Sequence, residues 1–151
     1  MKLTPDLVGL HHRFSDYYEV GREKVREYAR AVKSDDPAYR DESAAAELGY
    51  DGLVAPLTFI SVFGFLAQEE FFKAMEVELD LSRILHTDQR LVFHRPIKVG
   101  DRLYCDVYVD SLRTMGGSDI IVTRNDITDQ NGELVQTTYT TLMGRHVEEG
   151  E

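Results

Sequence analysis

The stretch Leu-Thr-Phe-Ile-Ser-Val-Phe-Gly-Phe-Leu-Ala (57–67) constrains this chain more than any other. It follows Pro56, and proline suits the first turn of a helix because the N–H it lacks has no partner there. Apolar residues then fall on every side of the predicted helix. No face can be turned to water, so such a helix must be enclosed all round. At about 1.5 Å per residue it is too short to cross a bilayer, which needs about 20 residues. The enclosure must therefore be protein. Charge returns only at Glu69, Glu70 and Lys73, where the helix is expected to emerge.

Four downstream segments can supply the enclosure. Residues 84–94 end at Arg95-Pro96. Residues 102–112 alternate, with Leu103, Cys105, Val107 and Val109 on one face and Tyr104, Asp106, Tyr108 and Asp110 on the other. Residues 118–129 follow Gly116-Gly117, residues 133–145 follow Asn131-Gly132, and these last two read as a hairpin. Upstream, 17–20 reads as a short strand. Residues 21–32 carry Val25, Tyr28, Ala29 and Val32 at helical spacing. A loop at 33–40 is marked by Asp-Asp-Pro. A short helix at 41–48 has Asp41 as its cap and Gly49 as its stop. An antiparallel meander beside one enclosed helix implies a sheet wrapped around that helix. With no repeat or linker in 151 residues, one domain over 1–151 is expected.

Net charge of −10 argues against nucleic-acid binding. One basic stretch stands apart: Arg83, Arg90, Arg95, Lys98 and Arg102, with His86 and His94, against Asp88 and Asp101. It is either a solvated strand face or a lip for the phosphates of CoA or phosphopantetheine. The N-terminus shows no signal-like apolar core, and the single Cys105 excludes an intramolecular disulfide. A cytoplasmic chain with no membrane insertion is expected. Cys105, on the apolar face of its strand, is expected to be an inert buried thiol. His11 and His12 are adjacent and point apart, and His86 and His94 lack further ligands nearby, so neither metal nor cofactor is expected.

Two segments carry a family likeness: Tyr-Ala-Arg-Ala-Val-Lys-Ser-Asp-Asp-Pro-Ala-Tyr (28–39) and Gly-Tyr-Asp-Gly-Leu-Val-Ala-Pro-Leu-Thr-Phe (49–59). They resemble the signature of the MaoC-like (R)-specific enoyl-thioester hydratases and dehydratases. That pattern is Phe/Tyr-x-x-x-x-Gly-Asp-x-Asn-Pro-Ile-His, then an Ala-His-Gly turn into a long buried helix. The resemblance implies an α+β hot-dog fold. It also implies that the catalytic Asp and His positions are Ser34 and Tyr39, aligned on Pro37, with Lys33 for the Gly and Asp36 for the Asn. Moving water on or off the β-carbon of an acyl thioester requires a base for one proton, an acid at the oxygen and a fixed dipole at the carbonyl. Serine and tyrosine cannot supply the acid/base pair near neutral pH, since phenols titrate at about 10. Asp35 or Asp36 could stand in by a one-residue slip, with an imidazole brought from elsewhere in the chain. At the helix start, Ala55-Pro56-Leu57 replaces Ala-His-Gly, so the Leu57 N–H lies where the family's glycine N–H polarises the thioester.

Residues 18–28, 53–59 and 132–144 sharpen the likeness. They resemble the non-catalytic HadA/HadC-type subunits of a heterodimeric (3R)-hydroxyacyl-ACP dehydratase, in the fatty-acid elongation that feeds mycolic acids. The resemblance implies a lyase subunit without its own catalytic pair. Its acyl-binding wall would include Pro56, Leu57, Thr58, Phe59 and Phe63. Its partners would be a catalytic MaoC-like subunit, or a second copy of itself, and an acyl-ACP or acyl-CoA thioester. The alternative is a homodimeric acyl-thioester binding protein or hot-dog thioesterase, in which Glu69 or Glu70 would matter.

Overall fold

The computed structural model describes residues 3–77 and 81–145. Helix α1 (Arg22–Ala31) buries Val25 and Ala29 and turns its charges to water. Helix α2 (Glu42–Glu47) is started by Asp41, whose carboxylate accepts from the N–H groups of Ser43 and Ala44. Helix α3 (Ile60–Ala74) is the central element. It begins at Ile60, later than Pro56 predicts, because the lead-in is a tight turn: Phe59 N–H donates to Pro56 C=O and Ser61 N–H to Thr58 C=O. It continues to Ala74 through Gln68, Glu69 and Glu70, all good helix formers.

Strands β1 (His11–Arg13), β2 (Tyr18–Glu19), β3 (Ile84–Phe93), β4 (Arg102–Met115), β5 (Ser118–Thr128) and β6 (Leu134–Arg145) form one antiparallel sheet. Its order is β1-β4-β5-β6-β3, with β2 also paired to β4. Met115 and Ser118 face each other across Gly116 (φ 60) and Gly117 (φ 74), the left-handed pair that a two-residue hairpin turn needs. The expected β5–β6 hairpin is present, and the sheet wraps α3 as the hot-dog fold requires. Leu103, Cys105, Val107 and Val109 line the inner face of β4. They meet Phe59, Phe63 and Phe71, with the Phe14 ring edge-on to Phe63 at 5.3 Å and Tyr18 stacked on it at 5.4 Å.

Two features depart from expectation. β1 has no apolar alternation to betray it, and it pairs with β4 through His11 opposite Tyr108. The central helix is also not enclosed all round: Phe65 is 60% and Leu66 41% exposed. On the edge strand β3, Leu85, Val92 and Phe93 are exposed too.

A buried ion cluster fixes the crossover from β3 to β4. Arg95 donates to Asp101 (2.8 and 3.1 Å) and to Asp129 (3.0 Å), both carboxylates almost fully buried. Asp129 also accepts from the N–H groups of Asn131 and Glu133, so one guanidinium ties the crossover to the β5–β6 turn. Burial alone would raise the Asp129 carboxyl, but Arg95 and the two N–H groups outweigh it and hold it below the usual carboxylate range. A depressed carboxyl stabilises the fold above its unfolded value of about 4 and loses that contribution as pH falls through the folded one. Arg95→Met should cost roughly 2–3 kcal/mol at pH 7. That is less than the 3–5 of a fully enclosed pair, because Arg95 keeps 28% of its side chain in water. The deficit should persist down to about pH 4 and shrink below it, as at about pH 3. Urea unfolding at both pH values checks this, and a deficit that grows on acidification would contradict the clamp.

Candidate functional site

Helix α1 ends in a reverse turn that sets up the loop after it. Lys33 N–H donates to Arg30 C=O and Ser34 N–H to Ala29 C=O, a Schellman closure with Lys33 at φ 55. Left-handed backbone favours glycine, the residue the family signature has here. Lys33 thus holds a left-handed conformation at the position where the signature has glycine. Asp36 then accepts from Ala38 N–H at 2.9 Å and starts the single turn Pro37–Tyr39.

That turn is tied to the start of α3. Val54 N–H donates to Ala38 C=O, and Ala55 N–H donates to Ile97 C=O. From the other side, Tyr28 Oη donates to the carbonyl and hydroxyl of Thr58, each at 2.9 Å. Ser34, Tyr39 and the Ala55-Pro56-Leu57 turn are therefore carried by segments hydrogen-bonded to one another. Ser34 and Tyr39 are half-buried, Pro56 is buried, and Leu57 is 62% exposed.

Among the described residues no acid/base pair comes to this place. Asp35 is exposed and pairs with Arg40 at 2.8 Å, while Asp36 serves as a cap, so the one-residue slip brings no free carboxylate. The histidines among the described residues are engaged elsewhere. His11 meets Asp106, His12 meets Glu70, His86 meets the Asp88 carbonyl and His94 meets Thr137. Glu69 accepts from Lys73, and Glu70 is held by Ser15 and His12 at the far end of α3. Cys105 is buried, and burial pushes its thiol far above the ordinary range. Among the described residues no cluster of His, Cys, Asp and Glu could hold a metal, and no helix is long and apolar enough to cross a membrane.

Most of the basic stretch is likewise engaged within the chain. Arg95 belongs to the buried cluster and Lys98 pairs with Asp51. Arg90 lies over the Tyr139 ring, and Arg102 lies over Tyr17. Of the aromatic residues expected to line an acyl wall, Phe59 and Phe63 are each 1% exposed and packed in the core. The aromatic that α3 leaves open is Phe65.

Sequence reasoning passed over a polar stripe on the inner face of the sheet. Thr123 and Asn125 of β5, and Gln136, Thr138 and Thr140 of β6, are all buried on that face. Gln68 of α3 donates to Thr123 and Thr140, each at 3.0 Å, and Thr140 donates to Gln89 of β3. The sequence of β6 shows no clean apolar alternation, and only the pairing register says that Gln136, Thr138 and Thr140 face inward.

A family model described as FAS1-like, dehydratase domain region, matches residues 6–138. A UPF0336 protein of Mycobacterium tuberculosis (strain ATCC 25618 / H37Rv) is 57% identical over 151 residues, covering all of this chain and 96% of that one. Among solved structures, a chain of the C-terminally truncated HadBC (3R-hydroxyacyl-ACP dehydratase) complex from M. tuberculosis has a TM-score of 0.85 at 48% identity. The match covers 94% of this chain and 100% of that one. A second structure, a MaoC-like dehydratase, has a TM-score of 0.85 at 42% identity over 93% of this chain and 43% of its own length.

The burial contrast along α3 has a direct consequence for stability. Phe63→Ala should cost roughly 3–5 kcal/mol, because it empties a site closed by Phe14 and Tyr18. Phe65→Ala in the isolated chain should change stability by no more than about 0.5 kcal/mol. Paired urea titrations check both values. A small loss at Phe63 would mean that its ring has open space beside it.

Proposed function

We propose a function for this chain on the premise that it belongs to the FAS1-like, dehydratase domain region family, the MaoC-like hot-dog proteins. It is a subunit of a heterodimeric (3R)-hydroxyacyl-thioester dehydratase, of the ACP-linked kind used in fatty-acid and mycolic-acid elongation. It works beside a second MaoC-like chain that supplies the acid and base. The observation that carries this reading is the loop at 33–39. It keeps a left-handed backbone at Lys33, where the family signature has glycine, and is tied to the start of α3, yet the two positions that would move protons hold Ser34 and Tyr39.

The chemistry divides between the chains as follows. Dehydration removes a proton from the carbon beside the thioester, and the hydroxyl leaves from the next carbon with a proton delivered to it. Both transfers need titratable groups poised near neutral pH. Neither group is offered by the loop of this chain, so both belong to the partner. This chain contributes a wall. Leu57, Phe65 and Phe93 are large, apolar and exposed. They offer an acyl chain a surface that the partner would close.

The edge of the sheet favours association. β3 is an edge strand whose residues are exposed from Leu85 to Arg90, leaving a row of backbone donors and acceptors for another strand. Phe65 and Leu66 of α3 add exposed apolar area. A partner joined along β3 and across Phe65 and Leu66 would cover both the edge and the helix flank. The partner's own acyl groove would then run along α3 of this chain.

The test is hydration of a trans-2-enoyl thioester, the reverse reaction. The chain alone should show no turnover above background. Mixed with a MaoC-like chain that retains the Asp and His, it should form a heterodimer whose activity exceeds that of either chain alone. Ser34→Asp with Tyr39→His in the isolated chain should remain far below that heterodimer, since Pro56 and Leu57 still occupy the carbonyl-polarising turn. Robust turnover by the unmodified chain, abolished by Asp36→Asn, would place the catalytic pair in this chain and end the proposal.

A further inference from the structure

The polar stripe under α3 is satisfied at one end and not at the other. Thr123, Thr140, Gln68 and Gln89 bond to each other. Next to them Asn125, 1% exposed, has no partner for its oxygen or its nitrogen, and the Nε2 of Gln136, also 1% exposed, has none either. These two are diagonal neighbours on the inner face, since Asn125 pairs with Thr138 and Gln136 with Ile127. Above them α3 carries a glycine. A Cβ on Gly64 would stand 3.5 Å from the Asn125 Nδ2, so the amide lies directly beneath a bare stretch of helix. A buried amide left unpaired costs free energy that an apolar residue at the same position would avoid. Asn125 offers a donor and an acceptor, and Gln136 a further donor, at one place. Across β6 the stripe reaches β3, where Leu91 is half-buried and Phe93 is 46% exposed.

We propose that Asn125 and Gln136, beneath Gly64, form a polar subsite that receives an oxygen-bearing group of a bound acyl thioester, a hydroxyl or a carbonyl. The proposal rests on the acyl-groove reading given above and adds to it the class of substrate. A purely hydrocarbon chain would bury against these amides without meeting them. A chain carrying oxygen would satisfy them, and so would an amide carbonyl of the pantetheine arm. The wall that this chain lends is therefore selective, and it discriminates against ligands with nothing to hydrogen-bond at that depth.

The test uses the heterodimer with ¹⁵N-labelled copies of this chain, and three probes: dodecanoyl-CoA, its mid-chain hydroxylated counterpart, and the hydroxylated free acid. The side-chain NH₂ signals of Asn125 and Gln136 should move on binding. The hydroxylated thioester should bind about fivefold more tightly than the plain one, the worth of one net hydrogen bond. Asn125→Leu, or Gln136→Met if that variant fails to fold, should erase the ratio. A merely structural role for the amide would leave that ratio untouched. If both thioesters move the two amides equally and the free acid does not, the subsite stands with the pantetheine arm as its ligand. If ligand moves the Leu57 and Phe65 signals but neither amide, the subsite is refuted and the groove survives. If no signal on α3 moves with any probe, the subsite and the groove both fall.

Discussion

The structure depends on one requirement, the covering of an apolar helix that its own chain only partly covers. Residues of α3 face the inner side of β4 through Phe63, Ala67 and Phe71, and there the packing is complete. On the opposite flank Phe65 and Leu66 meet no comparable layer. A helix apolar on every side is stable only where every side is dry. The sheet supplies one half of that dryness. Its curvature around α3 comes from the long β4–β5–β6 meander, whose irregularities at Val109/Ser111 and Ile127/Thr128 change the register and increase the local twist.

The loop between α1 and α2 separates what backbone does from what side chains do. The Schellman closure at Lys33, the Asp36 cap and the link from Val54 to Ala38 all hold with Ser34 and Tyr39 in the loop. Such a loop also serves packing: Ala38 is 2% exposed and sits against the segment that feeds α3. Chemistry can be lost from such a place at little cost to the fold. Loss of the tie itself would free the start of the central helix.

Fold class was legible because its signals are periodic. The alternation of 102–112, the Gly-Gly turn and the unbroken apolar run at 57–67 each act over neighbouring residues, where sequence is informative. What escaped was set by contacts distant in the chain. β1 is three polar residues whose strand character comes from pairing to β4 and from His11 stacking on Tyr108 at 4.5 Å. Phe63 and Phe65 are two positions apart and chemically alike, yet one is core and the other open. Only the direction from which the sheet approaches decides between them. That Ser34 and Tyr39 carry neither carboxylate nor imidazole, by contrast, was visible at once, because an absent functional group needs no geometry to be recognised.

The inner polar stripe shows how far one register decision reaches. Side chains alternate across a sheet, so a slip of one residue between β5 and β6 would turn one strand over, sending either Asn125 or Gln136 and Thr138 outward and bringing Arg124 or Tyr139 in. Arg124 now lies over the Tyr108 ring on the outer face, and Tyr139 lies under Arg90 there. Moving either inward would bury a guanidinium or a phenol against Gly64. The register is pinned at the turn, where Asp129 receives the Asn131 and Glu133 N–H groups and the Arg95 guanidinium together. A cluster at one end of the sheet thereby determines which residues lie beneath the middle of α3. Polarity at that depth is maintained by the same contacts that hold the fold, and hydrophobic patterning alone would not have placed it there.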